Sequence, residues 1–182
     1  MVRIQPNKNP DNKAQELLAG VKQKLGSTPN VFKTLAQSST ALNFFLTASA
    51  ALNASKLSSS LREQIALTVA GANACDYCAS AHTAIGKMQM ISENELAQNL
   101  QGNSNDGKTQ AALKFARKIV DLRGNVSDAD LADIRSAGFS DGEIVDIIAV
   151  VSLNLFTNYF NHIAGTDVDF PLVSASQITA NI

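Results

Sequence analysis

Apolar residues return every three or four positions along most of this chain, the spacing that gives a helix one buried face, and no segment alternates as a half-buried strand would. Between residues 11 and 25, Leu17, Leu18, Val21 and Leu25 share a face, and Gly26 stands where a C-cap glycine ends a helix. Thr28-Pro29 restarts a helix, with proline near its first turn. Residues 41–52 and 61–72 read as two more helices, with Ser58 to Ser60 as a polar break between them. Asn73-Ala74 interrupts the pattern, and Cys75 opens a helix that runs to about Met88. Helices are also expected at 92–100, at 109–122, where Ala112, Leu113, Ala116, Ile119 and Val120 form one apolar face, and at 127–137. The last, 140–160, is apolar on nearly every face, which assigns it to a core or a subunit interface. The segment 101–108 (QGNSNDGK) is the best loop signal, and the chain after Gly165 reads as irregular. With no internal repeat and no half that could fold alone, the pattern predicts one all-α domain over residues 1–182, of about eight helices.

Composition narrows the partners. Hydrophobic residues make up 45% of the chain, which excludes a disordered protein. A net charge of −1 without a basic patch makes nucleic acid and anionic membranes poor partners. The first ten residues are polar and include Pro6 and Pro10, so they lack the apolar core of a signal peptide. The longest apolar stretch, 144–156, is broken by Asp146, Ser152 and Asn154 and is too short to span a bilayer. A cytoplasmic location is therefore expected, where a CxxC serves catalysis or metal binding more often than structure.

The only two cysteines form that motif, Cys75-Asp76-Tyr77-Cys78. At the start of a helix the partial positive charge of the backbone favours a thiolate. His82, four residues after Cys78, lies on the same helical face and can take a proton from it or hold its charge. Glu63, twelve residues before Cys75, has two readings: it closes a capping box with Ser60, or it reaches the site from an antiparallel helix. Tyr77 can donate a hydrogen bond or simply pack, and Asp76 is solvated or supports the helix terminus. On the last helix, Asn154, Asn158 and Asn161 or His162 line one polar stripe, which needs partners in another subunit or in a pocket; the structural reading is favoured. Zinc is disfavoured, because ligands at i, i+3 and i+7 of one helix fit a tetrahedron badly.

The span Leu61-Arg62-Glu63-Gln64-Ile65-Ala66-Leu67, followed by Cys75-x-x-Cys78-x-x-x-His82, resembles the alkylhydroperoxidase D (AhpD)-like part of the carboxymuconolactone decarboxylase family, peroxidase-related subgroup. Pro29-Asn30-Val31-Phe32, Asn158-Tyr159-Phe160-Asn161-His162 and Asp169-Phe170-Pro171 extend the resemblance to about residues 15–172. It implies an all-α AhpD-like fold with a core antiparallel helix pair, and a homo-oligomer (dimer, trimer or hexamer). It implies a thiol-dependent hydroperoxide reductase in which Cys78 is the peroxidatic thiol, Cys75 resolves it, and Glu63 and His82 relay the proton. The implied partners are a hydroperoxide and a dithiol reductant such as a lipoylated protein; no cofactor or metal is implied. The chain departs from the founding peroxidases in one place, with Tyr77 where they carry a second histidine. Tyr77 and His162 stand as accessory candidates. The rival readings are a carboxymuconolactone decarboxylase-type lyase, whose members typically lack the CxxC, and a redox sensor or disulfide-exchange protein.

Overall fold

The computed structural model describes residues 1–175. Among them nine helices follow one another: α1 (Asn12–Leu25), α2 (Asn30–Leu35), α3 (Ser39–Leu52), α4 (Ser59–Ala72), α5 (Asp76–Met88), α6 (Glu93–Leu100), α7 (Gly107–Asp121), α8 (Asp128–Ser136) and α9 (Asp141–Ala164). No strand occurs among the described residues. The all-α expectation holds, with the short helix after Pro29 present as a separate element.

Helix α4 is the axis of the molecule. It packs against α5, α6, α7 and α9, and every residue from Gln64 to Gly71 is buried. One side of it, through Leu67 and Ala70, joins a cluster with α1 to α3, α5 and the irregular tail. The other, through Ile65 and Val69, joins the cluster of α7, α8 and α9. The polar groups along this buried run are paired. Thr68 donates its hydroxyl to the Gln64 and Asn99 carbonyls (3.1 and 2.8 Å), and Gln64 donates to Glu95 (3.2 Å). Close approach to α6 depends on Gly71, where an added Cβ would fall 1.9 Å from the Leu100 carbonyl oxygen.

Helices α4 and α5 form the antiparallel pair: they are joined by a short turn, and Glu63 near the start of α4 meets His82 at the middle of α5. The turn between them is a Schellman-type cap. The Cys75 amide donates to the Ala70 carbonyl (2.9 Å) and the Ala74 amide to that of Gly71 (3.2 Å). Ala74 occupies the left-handed position (φ 52°), where glycine is usual, so this reversal is held against a local backbone cost.

Two of the boundaries that differ from the sequence reading bear on the site. Helix α4 begins at Ser59, with Ser58 as its cap, because the Ser58 hydroxyl accepts the Leu61 amide. Glu63 therefore lies beyond the first turn, and the Ser60–Glu63 capping box does not form. Helix α9 continues past residue 160 to Ala164 and stops at the left-handed Gly165. At 24 residues it is long and apolar enough, by length and composition, to cross a membrane, which the shorter stretch 144–156 is not. Within this fold its buried face carries Asn154, Asn158 and Asn161 and packs against α4, while Val145, Ile148, Tyr159 and Ile163 are exposed.

Gly71→Ala is expected to destabilise the protein by roughly 3 kcal/mol, the upper end for overpacking, because main chain rather than a flexible side chain opposes the methyl group. Urea unfolding measures this, and an unchanged midpoint would contradict the α4–α6 packing.

Candidate active site

The N-terminus of α5 is capped by a cysteine. The Cys75 sulfur accepts the Cys78 amide (3.4 Å), so it occupies the position usually held by a serine or aspartate oxygen. One turn on, Cys78 points to the cavity side. Both are free thiols, 1% and 3% exposed. The Cys78 thiol hydrogen-bonds Cys75, which lowers the Cys75 pKa against the opposing effect of burial. The same bond, together with burial, raises Cys78 well above an ordinary thiol. The first charge of the pair therefore falls on Cys75, and the second proton is held on Cys78.

His82 lies one turn beyond Cys78. Its Nδ1 stands 2.7 Å from Glu63 Oε2, with both side chains about one-fifth exposed. Burial works against the charged imidazolium, but the Glu63 charge and hydrogen bond, the Cys75 charge and a hydrogen bond to Asn154 outweigh it. The His82 pKa is raised from 6.5 as a result. Asn154 donates its amide to the Val150 carbonyl (2.9 Å), which leaves its oxygen as the acceptor available to His82. Among the described residues no hydrogen bond joins His82 to either cysteine, so a proton passing between them needs a bridging water or ligand.

Helix α9 completes the site. Asn161 Nδ2 donates to Cys78 Sγ at 3.3 Å, and the Asn158 and Asn161 amides both act to lower the Cys78 pKa against the effects that raise it. The polar stripe that the sequence offered to a subunit contact or a pocket therefore turns inward onto the reacting groups. His162 does not accompany it: the side chain is exposed near the C-terminus of α9 and does not line the cavity beside Cys78. It drops out as an accessory residue for geometric reasons, because consecutive positions of a helix face different ways.

Tyr77, between the cysteines, is a structural clasp. Its hydroxyl donates to Asp169 (2.9 Å) and accepts the Val31 amide (3.1 Å), and its ring meets Phe170 edge-on. Burial and the Asp169 carboxylate push its pKa up, partly offset by the Val31 amide. Asp169 also accepts the Asn30 amide at 2.8 Å. The distant segments 29–32 and 169–171 thus converge over the CxxC. Asp76 accepts the Ala175 amide (2.8 Å), so it ties down the tail rather than being solvated. Sequence reasoning did not identify Asn73, Asn30 or Asp169 as parts of this arrangement; the i, i+4, i+7 spacing of Asn154, Asn158 and Asn161 was the one visible signal for the α9 groups.

A cavity of about 360 Å³ opens onto these groups. Leu25, Phe32, Phe45, Leu52, Ile85 and Leu153 give it apolar walls; Glu63, Cys78, His82, Asn154 and Asn161 supply the polar side, and Lys24 and Arg62 add two cationic groups. Cys78, and not Cys75, is part of the wall. Among the described residues no cluster of three or more His, Cys, Asp or Glu side chains could hold a metal ion.

Because the His82 pKa is raised in the folded protein, the Glu63 contact stabilises the fold fully below pH 6.5 and loses this effect as pH rises through the higher folded value. Glu63→Gln should therefore lower the melting temperature most near pH 6, and the gap to wild type should close toward pH 9. A gap that does not change over that range would contradict a charged pair.

Residues 39–121 match the carboxymuconolactone decarboxylase family. The fold is similar to that of a peroxidase-related protein from Silicibacter sp. TM1040 (27% identity, TM-score 0.81), over 91% of this chain and 90% of that one. A peroxidase-related protein from Ralstonia eutropha JMP134, described as an alkylhydroperoxidase AhpD core, gives 26% identity and a TM-score of 0.82 over 93% and 94% of the two chains. The debrominase Bmp8, solved as a variant in complex with 2,3,4-tribromopyrrole, shares the fold at 19% identity (TM-score 0.78, 100% and 97% coverage). No curated protein matches the chain significantly.

Proposed function

From the match of residues 39–121 to the carboxymuconolactone decarboxylase family and from the AhpD-like all-α fold, we propose that this protein is a thiol-dependent hydroperoxide reductase. The observation that carries this reading is the placement of Cys78 on the wall of an apolar cavity, with Cys75 hydrogen-bonded behind it and the Glu63–His82 pair alongside.

The charge of the pair moves to Cys78 when its proton passes to Cys75 or, through a bridging water, toward His82. The Cys78 thiolate attacks the terminal oxygen of the hydroperoxide. An S–O bond forms, the O–O bond breaks, and the departing alkoxide takes a proton from the His82 imidazolium to leave as an alcohol. Glu63 keeps His82 charged and oriented for that donation. Cys75 gives up its proton, through a bridging water, to the now neutral His82 and attacks the Cys78 sulfur as a thiolate; the S–S bond forms, the S–O bond breaks, and the departing hydroxide takes that proton from His82 to leave as water. A dithiol reductant, for which a lipoylated protein is the candidate, returns the disulfide to two thiols by exchange. The apolar walls favour an organic hydroperoxide over hydrogen peroxide.

Stopped-flow oxidation by cumene hydroperoxide, with free thiols counted before and after, tests this. Wild type should lose both thiols far faster than a free cysteine reacts. Cys78→Ser should fall to that background, and Cys75→Ser should stop at one equivalent of sulfenic acid trapped by dimedone. Full turnover by Cys78→Ser would refute the reading. The aromatic part of the cavity, Phe32, Phe45 and Phe170, favours one second use of the same two electrons. That use is replacement of a carbon–halogen bond by carbon–hydrogen, with release of halide and closure of the disulfide. Halide release from a bromopyrrole by the reduced protein, without peroxide consumption, would select it.

The reading includes a homo-oligomer, for which the exposed apolar residues Val145, Ile148, Tyr159 and Ile163 of α9 offer a surface to a second copy. Sedimentation velocity at micromolar concentration should show a dimer or larger, which Ile148→Glu with Ile163→Glu disperses. A monomeric wild type would remove this part.

A further inference from the structure

The orientation of the Asn158 amide is determined by a chain of bonds that starts at the main chain. The Val69 carbonyl can only accept, and it accepts from Asn73 Nδ2 at 2.9 Å. The same NH₂ group donates to Asn158 Oδ1 at 3.1 Å. Asn158 must therefore present its oxygen to Asn73 and its own NH₂ to the opposite side. There it is fully buried, at 0% exposure, and without a closed hydrogen bond. A buried donor left open is uncommon in folded proteins and calls for an acceptor. The Cys78 sulfur is the group on that side, and Asn161 already donates to it. The Asn161 oxygen is likewise buried and unpaired, so the sulfur itself sets that amide's orientation.

We propose that Asn158 and Asn161 form an amide anion hole that holds Cys78 as a thiolate, with Asn73 as the positioning residue that aims Asn158. The inference rests on the reading of Cys78 as the reacting thiol. The titratable groups around that sulfur are Cys75 and His82 on α5 and Glu63 on α4, whereas α9 offers it neutral amides. Tyr77, the side chain just before it, has its hydroxyl tied to Asp169 and Val31. The amides thus provide, without a charge of their own, stabilisation that Tyr77 in its clasp does not give. Both N–H groups point at one sulfur from a rigid helix, so little reorganisation is needed when that sulfur becomes charged.

The test reads the pKa of Cys78 alone, from the pH dependence of its alkylation by iodoacetamide in a Cys75→Ser background, where serine keeps a capping oxygen. Asn158→Leu and Asn161→Leu should each raise the midpoint by about one unit, a tenfold lower thiolate fraction near neutral pH, in line with loss of a hydrogen bond to a charged group. Asn158→Asp should raise it further, because a carboxylate replaces a donor, and Asn73→Ala should raise it by less than Asn158→Leu. Melting temperatures identify the folded variants, and where the leucine variants do not fold, the near-isosteric Asn158→Asp and Asn161→Asp give the same readout. Unchanged midpoints in the folded variants would overturn the anion hole. No peroxide enters this measurement. Amide-dependent pKa shifts in a protein that turns over no hydroperoxide would refute the proposed function and leave the anion hole standing. Hydroperoxide turnover with unshifted midpoints would do the reverse.

Discussion

Helix α4 can be buried from Gln64 to Gly71 only because its polar side chains along that run find partners on α6 and its own backbone, and because Gly71 lets the two helices touch. That constraint fixes both ends of the helix. One end presents Glu63 and the other delivers the turn into α5, so the carboxylate and the cysteine motif are set by the same rigid rod. Hydrogen bonding inside the core thus decides geometry at its edge. A looser α4 would still carry the motif in sequence, but the 2.7 Å contact between Glu63 and His82 would no longer follow from the fold.

The charges in the site are arranged in a sequence of decreasing exposure. Glu63 and His82 are partly accessible, whereas Cys78 and Cys75 are nearly closed off. Burial alone would leave both thiols protonated. At Cys75 the hydrogen bond from Cys78 and the start of α5 oppose it; at Cys78, where that bond adds to burial, the opposition comes from the amides of α9.

The neighbourhood of Cys75, Cys78 and His82 was legible in the sequence because it is local, whereas Glu63 stood there with two readings, between which its contact with His82 decides. Two helices joined by a short turn bring positions 63 and 82 together, and a three-residue spacing opens a helix with two thiols. The α9 stripe was visible as a pattern, but its direction was not, since a row of asparagines looks the same whether it meets a thiol or a second subunit. The Tyr77–Asp169 and Asn73–Asn158 bonds link residues 92 and 85 positions apart and leave no spacing signature at all. The start of α4 was misplaced because three consecutive serines offer three possible caps. The end of α9 was misplaced because its last turn is polar, with the stop signal only at Gly165.

Much of the apolar wall of the cavity comes from helices that carry none of the polar groups of the site. Leu25, Phe32, Phe45 and Leu52 come from α1 to α3, while the thiols, the imidazole, the carboxylate and the amides come from α4, α5 and α9. A substitution in the first set changes what fits without moving a proton donor, an acceptor or a sulfur. Under the proposed function, the part of the substrate range set by α1 to α3 can therefore drift without disturbing the thiols, and a lineage can acquire a new substrate in helices that carry none of its chemistry.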